Sequence, residues 1–137
     1  MSNRLSEGAN CSLNASPRRL LVVDDEPTIC ALVSEVLMAA GYQVETARDS
    51  QRALACLAQN HYDAVLLDVR LPGVSESTLY NWITTSRPEL VPRLGFITGD
   101  TLSTATQTFL AATRRPVLTK PFTLQELCSF VQRLVSP

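Results

Sequence analysis

Short apolar runs alternate along the chain with amphipathic stretches. Four runs are almost wholly apolar, and each ends at polar side chains; they span residues 20–23, 64–67, 94–97 and 116–119. Runs of this length and composition are typical of strands that are covered on both faces of a parallel sheet. Residues 44–47 form a weaker, alternating candidate, which indicates a fifth strand nearer an edge.

Stretches with helical spacing lie between and after these runs. Their apolar positions fall within residues 29–40, 53–58, 79–83, 103–112 and 124–135. Pro27 suits the first turn of the first helix, and Gly41 suits its C-terminal end. Thr123 and Glu126 have the spacing of a capping box at the start of the last helix.

Five strands that alternate with five helices predict an α/β fold. Right-handed crossovers place helices on both faces of one sheet, so we expect a doubly wound, five-stranded parallel sheet. Residues 1–17 are rich in Ser and Asn and lack apolar periodicity, which indicates a flexible N-terminal tail. Residues 18–137 then form one domain.

Composition narrows the class of protein. The 137 residues are 45% hydrophobic and 18% charged, which suffices for a core. A net charge of −1 and a pI of about 5.8 argue against binding nucleic acid through bulk charge. No apolar run reaches the ~18 residues of a membrane span, and the first twenty residues lack a secretory signal. Four scattered cysteines without a C-x-x-C pair favour reduced thiols and a cytoplasmic protein.

Polar side chains follow four of the predicted strands at the point where each strand ends. They are Asp24, Asp25, Asp68, Thr98 and Lys120, and Lys120 is the only lysine beside eleven arginines. Each acidic residue taken alone is more typical of a helix cap than of a ligand site. Ligands of open α/β sheets gather outside the carboxyl ends of the strands, so we expect the whole set to converge on one edge.

Three neighbouring carboxylates repel one another, and this repulsion raises the pKa of at least one of them unless a cation offsets the charge. Mg²⁺ fits best because it prefers oxygen ligands and shares its shell with phosphate; Mn²⁺ is the alternative. A carboxylate beside that ion can act as a nucleophile toward phosphorus and form an aspartyl phosphate. The Thr98 hydroxyl and the Lys120 ammonium can then compensate phosphoryl oxygens.

Four segments resemble the receiver domain of two-component response regulators. They read LVVDDEP at 21–27, LDVRLPG at 67–73, ITGD at 97–100 and LTKPF at 118–122. The resemblance covers about residues 18–135, and it implies a flavodoxin-like sheet with strand order 2-1-3-4-5.

The resemblance also implies roles for residues. Asp68 would be the phosphoacceptor, and Mg²⁺ would bind Asp25, Asp68 and the main-chain carbonyl of Arg70. Asp24 would orient a metal-bound water or bind the ion weakly. Our own hypothesis adds that Arg70 pairs with Asp100 across the mouth of the site and slows hydrolysis of the aspartyl phosphate.

The segment around Lys120 both matches and departs from the family. Thr98 would be the switch hydroxyl, Lys120 would pair with the phosphoryl group, and the Lys120–Pro121 peptide is expected to be cis. Receiver domains usually carry an aromatic residue three positions before this lysine, where this chain has Val117. A relay through that aromatic side chain is therefore not expected.

The implied function is phosphoacceptor signalling rather than enzymatic turnover. A histidine kinase or a histidine phosphotransfer protein would donate the phosphoryl group, and the domain, a monomer or weak homodimer, would switch conformation to control a downstream protein. Direct contact with nucleic acid or membrane is not expected. The alternatives are a docking module that no longer relies on phosphorylation and a receiver piece of a hybrid sensor kinase.

Two other classes of protein share this kind of sheet. A dinucleotide-binding module should carry G-x-G-x-x-G after the first strand, where this chain has an acidic segment that would repel a pyrophosphate. A metal-dependent phosphatase with an aspartyl intermediate usually has a second acid two residues after the nucleophile, where this chain has Arg70.

Overall fold

The computed structural model describes residues 17–69, 76–99 and 104–136. Strands and helices alternate along the chain. The strands are β1 (Arg19–Val23), β2 (Gln43–Ala47), β3 (Ala64–Asp68), β4 (Leu94–Thr98) and β5 (Val117–Thr119). The helices are α1 (Pro27–Ala39), α2 (Ser50–Gln59), α3 (Glu76–Ser86), α4 (Thr104–Thr113) and α5 (Leu124–Val135).

All four strand pairings are parallel, and the sheet order is β2-β1-β3-β4-β5. The predicted α/β class, the doubly wound sheet and its strand order are therefore confirmed. Every residue of β3 and β4 is buried, as expected for strands covered on both faces. Strand β2, whose sequence alternates between apolar and polar residues, lies at one edge of the sheet, as that pattern indicated.

Two apolar cores cover the two faces of the sheet. Successive residues of β1 point to opposite faces, so Leu21 and Val23 enter one core, while Leu20 and Val22 enter the other. Side chains of α2 and α3 fill the first core, and side chains of α1 and α5 fill the second. These layers leave the carboxyl ends of the strands as the uncovered edge of the sheet.

Helix ends follow the predicted caps. Gly41 has a φ of 101°, and its N–H donates to the Met38 carbonyl at 3.0 Å. The Tyr42 N–H donates to the Leu37 carbonyl at 3.1 Å, which completes a Schellman motif after α1. The predicted capping box of α5 is also present.

Two parts of the fold differ from the sequence interpretation. The run at 116–119 was interpreted as a strand covered on both faces, but β5 is an edge strand and Val117 is 37% exposed. The prediction was wrong because an apolar run of only four residues cannot distinguish an edge strand from an interior strand. A 3₁₀ helix (Pro88–Arg93) also lies between α3 and β4.

The predicted tail over residues 1–17 lies, apart from Pro17, outside the described residues, so that prediction and the domain boundary beside it stay predictions. Within the described ranges, no helix combines the length and the apolar character needed to cross a membrane.

Candidate functional site

Four neighbouring strands bring the predicted side chains to one edge of the sheet. Asp24 follows β1, Asp68 is the last residue of β3, Thr98 is the last residue of β4, and Lys120 follows β5. Because the strands are parallel and adjacent, their carboxyl ends lie side by side. The register supports this placement, since Asp68 pairs with Ile97, the residue before Thr98.

Three carboxylates form a compact acidic cluster. One oxygen from each of Asp24, Asp25 and Asp68 lies within 4.8 Å of the others. Asp24 is 0% exposed and Asp68 is 4% exposed, whereas Asp25 faces solvent. Buried carboxylates at this separation need a compensating positive charge.

The oxygens of Asp24 differ in their partners. Its Oδ1 accepts a hydrogen bond of 3.0 Å from the Glu26 N–H. Its Oδ2 is buried, and its partner among the described residues is the Lys120 ammonium, whose Nζ lies 3.0 Å away. A buried oxygen with an unused lone pair beside two further carboxylates fits a hard divalent cation with oxygen ligands.

Lys120 supplies the positive charge of the site. Its Nζ lies 2.6 Å from Glu26 Oε1, 3.0 Å from Asp24 Oδ2 and 3.5 Å from Asp68 Oδ2. Burial by itself lowers the pKa of Lys120, but the contacts with Glu26, Asp24 and Asp68 raise it above its ordinary value. The ammonium therefore stays charged at neutral pH.

The backbone fixes where Lys120 points. Its N–H donates to the Thr98 carbonyl at 2.8 Å, so the chain after β5 stays attached to β4. The Lys120–Pro121 peptide is cis, as the family resemblance implied. Thr98 is 1% exposed beside this contact.

A cavity of about 310 Å³ opens in front of the acidic cluster. Its lining is almost wholly polar; the residues are Asp25, Glu26, Asp68, Gly99 and Lys120. A Cβ added at Gly99 would meet only the stem of Lys120, at 3.7 Å, so the packing of the protein itself does not require glycine there. The cavity has room for a small anionic group beside Asp68 and Lys120.

Two predicted features lie outside the described residues. These are the main-chain carbonyl of Arg70 and the pairing of Arg70 with Asp100. One contact was missed by the sequence interpretation, namely that of Glu26 with Lys120. The available signal was a third acidic residue after Asp24 and Asp25, but nothing in the sequence indicates the direction of its side chain.

The comparisons with known sequences agree with one another. A sequence model described as "Response regulator receiver domain" matches residues 20–132. The transcriptional regulatory protein TrcR of Mycobacterium tuberculosis (strain ATCC 25618 / H37Rv) is 34% identical over 122 residues, which cover 89% of this chain and 47% of TrcR. The sensor histidine kinase RcsC of Escherichia coli (strain K12) is 35% identical over 119 residues, which cover 84% of this chain and 12% of RcsC. The chain spans about half or less of such curated relatives.

Solved structures give the same picture. The chemotaxis response regulator CheY4 of Vibrio cholerae aligns with a TM-score of 0.77 and 29% identity, covering 87% of this chain and 99% of CheY4. The response regulator TrrA of Thermotoga maritima, solved in complex with Mg(2+)-BeF, aligns with a TM-score of 0.74 and 30% identity, covering 85% of this chain and 98% of TrrA.

Proposed function

We propose, since the chain belongs to the family of response regulator receiver domains, that Asp68 accepts a phosphoryl group and that the aspartyl phosphate is the signalling state. One observation carries the assignment of Asp68. Its carboxylate lies at the end of the central strand β3, beside both the acidic cluster and the Lys120 ammonium. Asp24 is fully buried and does not line the cavity, and Asp25 has no ion pair with Lys120 among the described residues.

The proposed donor is a phosphohistidine on a histidine kinase or a histidine phosphotransfer protein. An oxygen of Asp68 attacks phosphorus, an O–P bond forms, and the P–N bond to the imidazole breaks. The imidazole nitrogen keeps the electron pair and takes up a proton. The Lys120 ammonium and the Thr98 hydroxyl compensate the negative charge on the phosphoryl oxygens.

Asp24, Asp25 and Asp68 are the residues that would hold Mg²⁺. When bound, the ion neutralises charge on the carboxylates and on the phosphoryl oxygens. The burial of Asp24 supports this set, because one ammonium, that of Lys120, faces the carboxylates of both Asp24 and Asp68 and leaves negative charge for a cation to offset. The structure of TrrA in complex with Mg(2+)-BeF supports the same kind of site.

The phosphorylated domain would control a partner rather than turn over a substrate. Similarity to a transcriptional regulatory protein and to a sensor histidine kinase leaves two settings for this control, a response regulator and a hybrid kinase. Both settings belong to phosphorelay signalling, and the proposed site of action is the cytoplasm.

The test is the uptake of one phosphoryl group from acetyl phosphate. Intact-mass spectrometry should show the added group in wild type with Mg²⁺, and its loss when EDTA removes the ion. We expect Asp68→Asn to gain nothing, because an amide cannot replace the nucleophilic carboxylate. Asp49→Asn is the matched control, since Asp49 is the N-cap of α2 and Asn caps a helix equally well.

Two results would contradict the proposal. One is a gain in Asp68→Asn equal to that of wild type, which would place the phosphoryl group elsewhere. The other is no gain in a folded wild-type protein, which would favour a docking module that does not use phosphorylation.

A further inference from the structure

Glu26 occupies the N-cap position of α1 but does not use its side chain as a cap. The backbone of Glu26 is held from both sides. Its N–H donates to Asp24 Oδ1 at 3.0 Å, its carbonyl accepts from the Cys30 N–H at 3.0 Å, and Pro27 follows it at the first helical position. Ser, Thr, Asp and Asn at this position ordinarily turn a side-chain oxygen toward the free N–H groups of the helix. The carboxylate of Glu26 points across the cavity instead.

That carboxylate accepts a hydrogen bond of 2.6 Å from Lys120 Nζ, across 94 positions of sequence. The same Nζ lies farther from the buried carboxylates of Asp24 and Asp68, at 3.0 and 3.5 Å. Glu26 is 57% exposed, while Asp24 and Asp68 are almost fully buried. Of the three partners, Glu26 is the most exposed, and it also makes the shortest contact with the ammonium.

We propose that Glu26 is a positioning residue that holds the Lys120 ammonium at the mouth of the cavity and competes with the phosphoryl group for it. The proposal rests on the function assigned above, because it concerns the lysine that is to meet the phosphoryl oxygen. By controlling whether Lys120 is available, Glu26 would set the balance between the unphosphorylated and phosphorylated forms.

An ammonium has three N–H donors, and three carboxylates surround Lys120 Nζ. A phosphoryl group on Asp68 adds about two negative charges, so the ammonium must give up one partner to bind it. The exposed Glu26 is the cheapest partner to release, because its carboxylate returns to water. Releasing Asp24 instead would leave a buried carboxylate without a compensating positive charge.

The experiment measures the dissociation constant of beryllofluoride in the presence of Mg²⁺ by ¹⁹F NMR. Glu26→Gln removes the charge and keeps the shape. Glu26→Asp keeps the charge but is one methylene shorter, and Asp readily caps the helix. If Glu26 acts by holding Lys120, both variants should bind beryllofluoride about two- to fivefold more tightly than wild type, the range for releasing an exposed ion pair.

Controls separate this contact from a general effect of charge. Glu35→Gln removes a negative charge from the exposed face of α1 and should leave the constant unchanged. Tighter binding in Glu26→Gln with wild-type binding in Glu26→Asp would overturn the proposal in favour of a field effect. Unchanged binding in both variants would overturn it as well. A folded wild type that takes up no beryllofluoride would instead overturn the proposed function together with the competition.

A second measurement tests the contact without metal or phosphoryl mimic. Lys120 is the only lysine in the chain, so its ¹⁵Nζ ammonium resonance needs no further assignment among lysine side chains. We expect this resonance to shift in both Glu26 variants and to stay in place in Glu35→Gln. An unmoved resonance in Glu26→Gln would overturn the contact.

Discussion

The hydrogen bond between Tyr62 and Glu45 shows how one neighbour sets the ionisation of a side chain. The Tyr62 hydroxyl donates to Glu45 Oε1, and Arg19 forms an ion pair of 2.8 Å with the other oxygen. The Tyr62 hydrogen bond is the main cause that lowers the pKa of Glu45. Burial, followed by the same hydrogen bond, raises the pKa of Tyr62. The pair therefore favours a charged glutamate and a neutral tyrosine.

The first prediction at this scale concerns Tyr62→Phe, which should lower the free energy of unfolding by about 1 kcal/mol at pH 7. Glu45 has a lowered pKa in the folded state, so its contribution is complete above its unfolded pKa and is lost as the pH falls through the folded pKa. The difference between wild type and variant should therefore shrink toward pH 3 in urea unfolding. Tyr42→Phe is the control, because the Tyr42 hydroxyl has no hydrogen bond partner within the described ranges. A difference that stays constant with pH would contradict this coupling.

At the site, residue type and position in the chain sufficed to predict which groups meet. Asp24, Asp68 and Lys120 each follow an apolar run, and parallel strands must bring such positions to one edge. The contact of Glu26 could not be predicted, because nothing in the sequence indicates which way its side chain points. Only the tertiary fold brings Lys120 to within 2.6 Å of it.

Among the elements, α5 packs closely on β4 at Gly95. A Cβ built on Gly95 would lie 2.5 Å from Phe130 Cε2 and 2.8 Å from Leu134 Cδ1. Both side chains are buried, so they have little room to move away. The glycine therefore sets the distance between this helix and the strand that ends in Thr98.

The prediction for this contact is that Gly95→Ala lowers the free energy of unfolding by roughly 1–3 kcal/mol, the usual cost of overpacking a core. Gly99→Ala, four residues along the same chain segment, is the control. Its added methyl group would make only ordinary contacts with Lys120, so its stability should remain close to that of wild type. Urea unfolding measures both variants. Equal stability of Gly95→Ala and wild type would show that α5 can shift away from β4.

The elements that were predicted well carry strong local signals. The buried strands β1, β3 and β4 are continuous apolar runs, and α5 has both a capping box and an apolar stripe. The 3₁₀ helix has two prolines and one buried side chain, Leu90, which is too short a pattern to predict an element. The exposure of Val117 depends on which strand lies at the edge, and that is a property of the whole sheet.

In the molecule as a whole, the residues that stabilise the fold and the residues of the candidate site lie in different regions of the sheet. Two apolar cores stabilise the sheet from both faces, while four carboxylates and one ammonium crowd the edge that the cores leave uncovered. Like charges at short distance oppose folding, so the site costs stability in the absence of a divalent cation. A functional site that costs stability is expected where its chemistry requires like charges close together.

Asp25→Asn tests this cost, because Asp25 is the exposed member of the acidic cluster and its loss leaves no buried group unpaired. Without divalent ions, the variant should be more stable than wild type by about 1 kcal/mol, the Coulomb energy of a like-charged pair in a watery environment. Mg²⁺ at ten times its dissociation constant should stabilise wild type by about 1.4 kcal/mol and the variant by much less. Urea unfolding with EDTA and with Mg²⁺ measures both effects, with Asp49→Asn as the control for an acidic residue outside the cluster. If Mg²⁺ raised the free energy of unfolding of Asp25→Asn as much as that of wild type, the ion would bind elsewhere. The repulsion among these carboxylates would then have no cation to offset it.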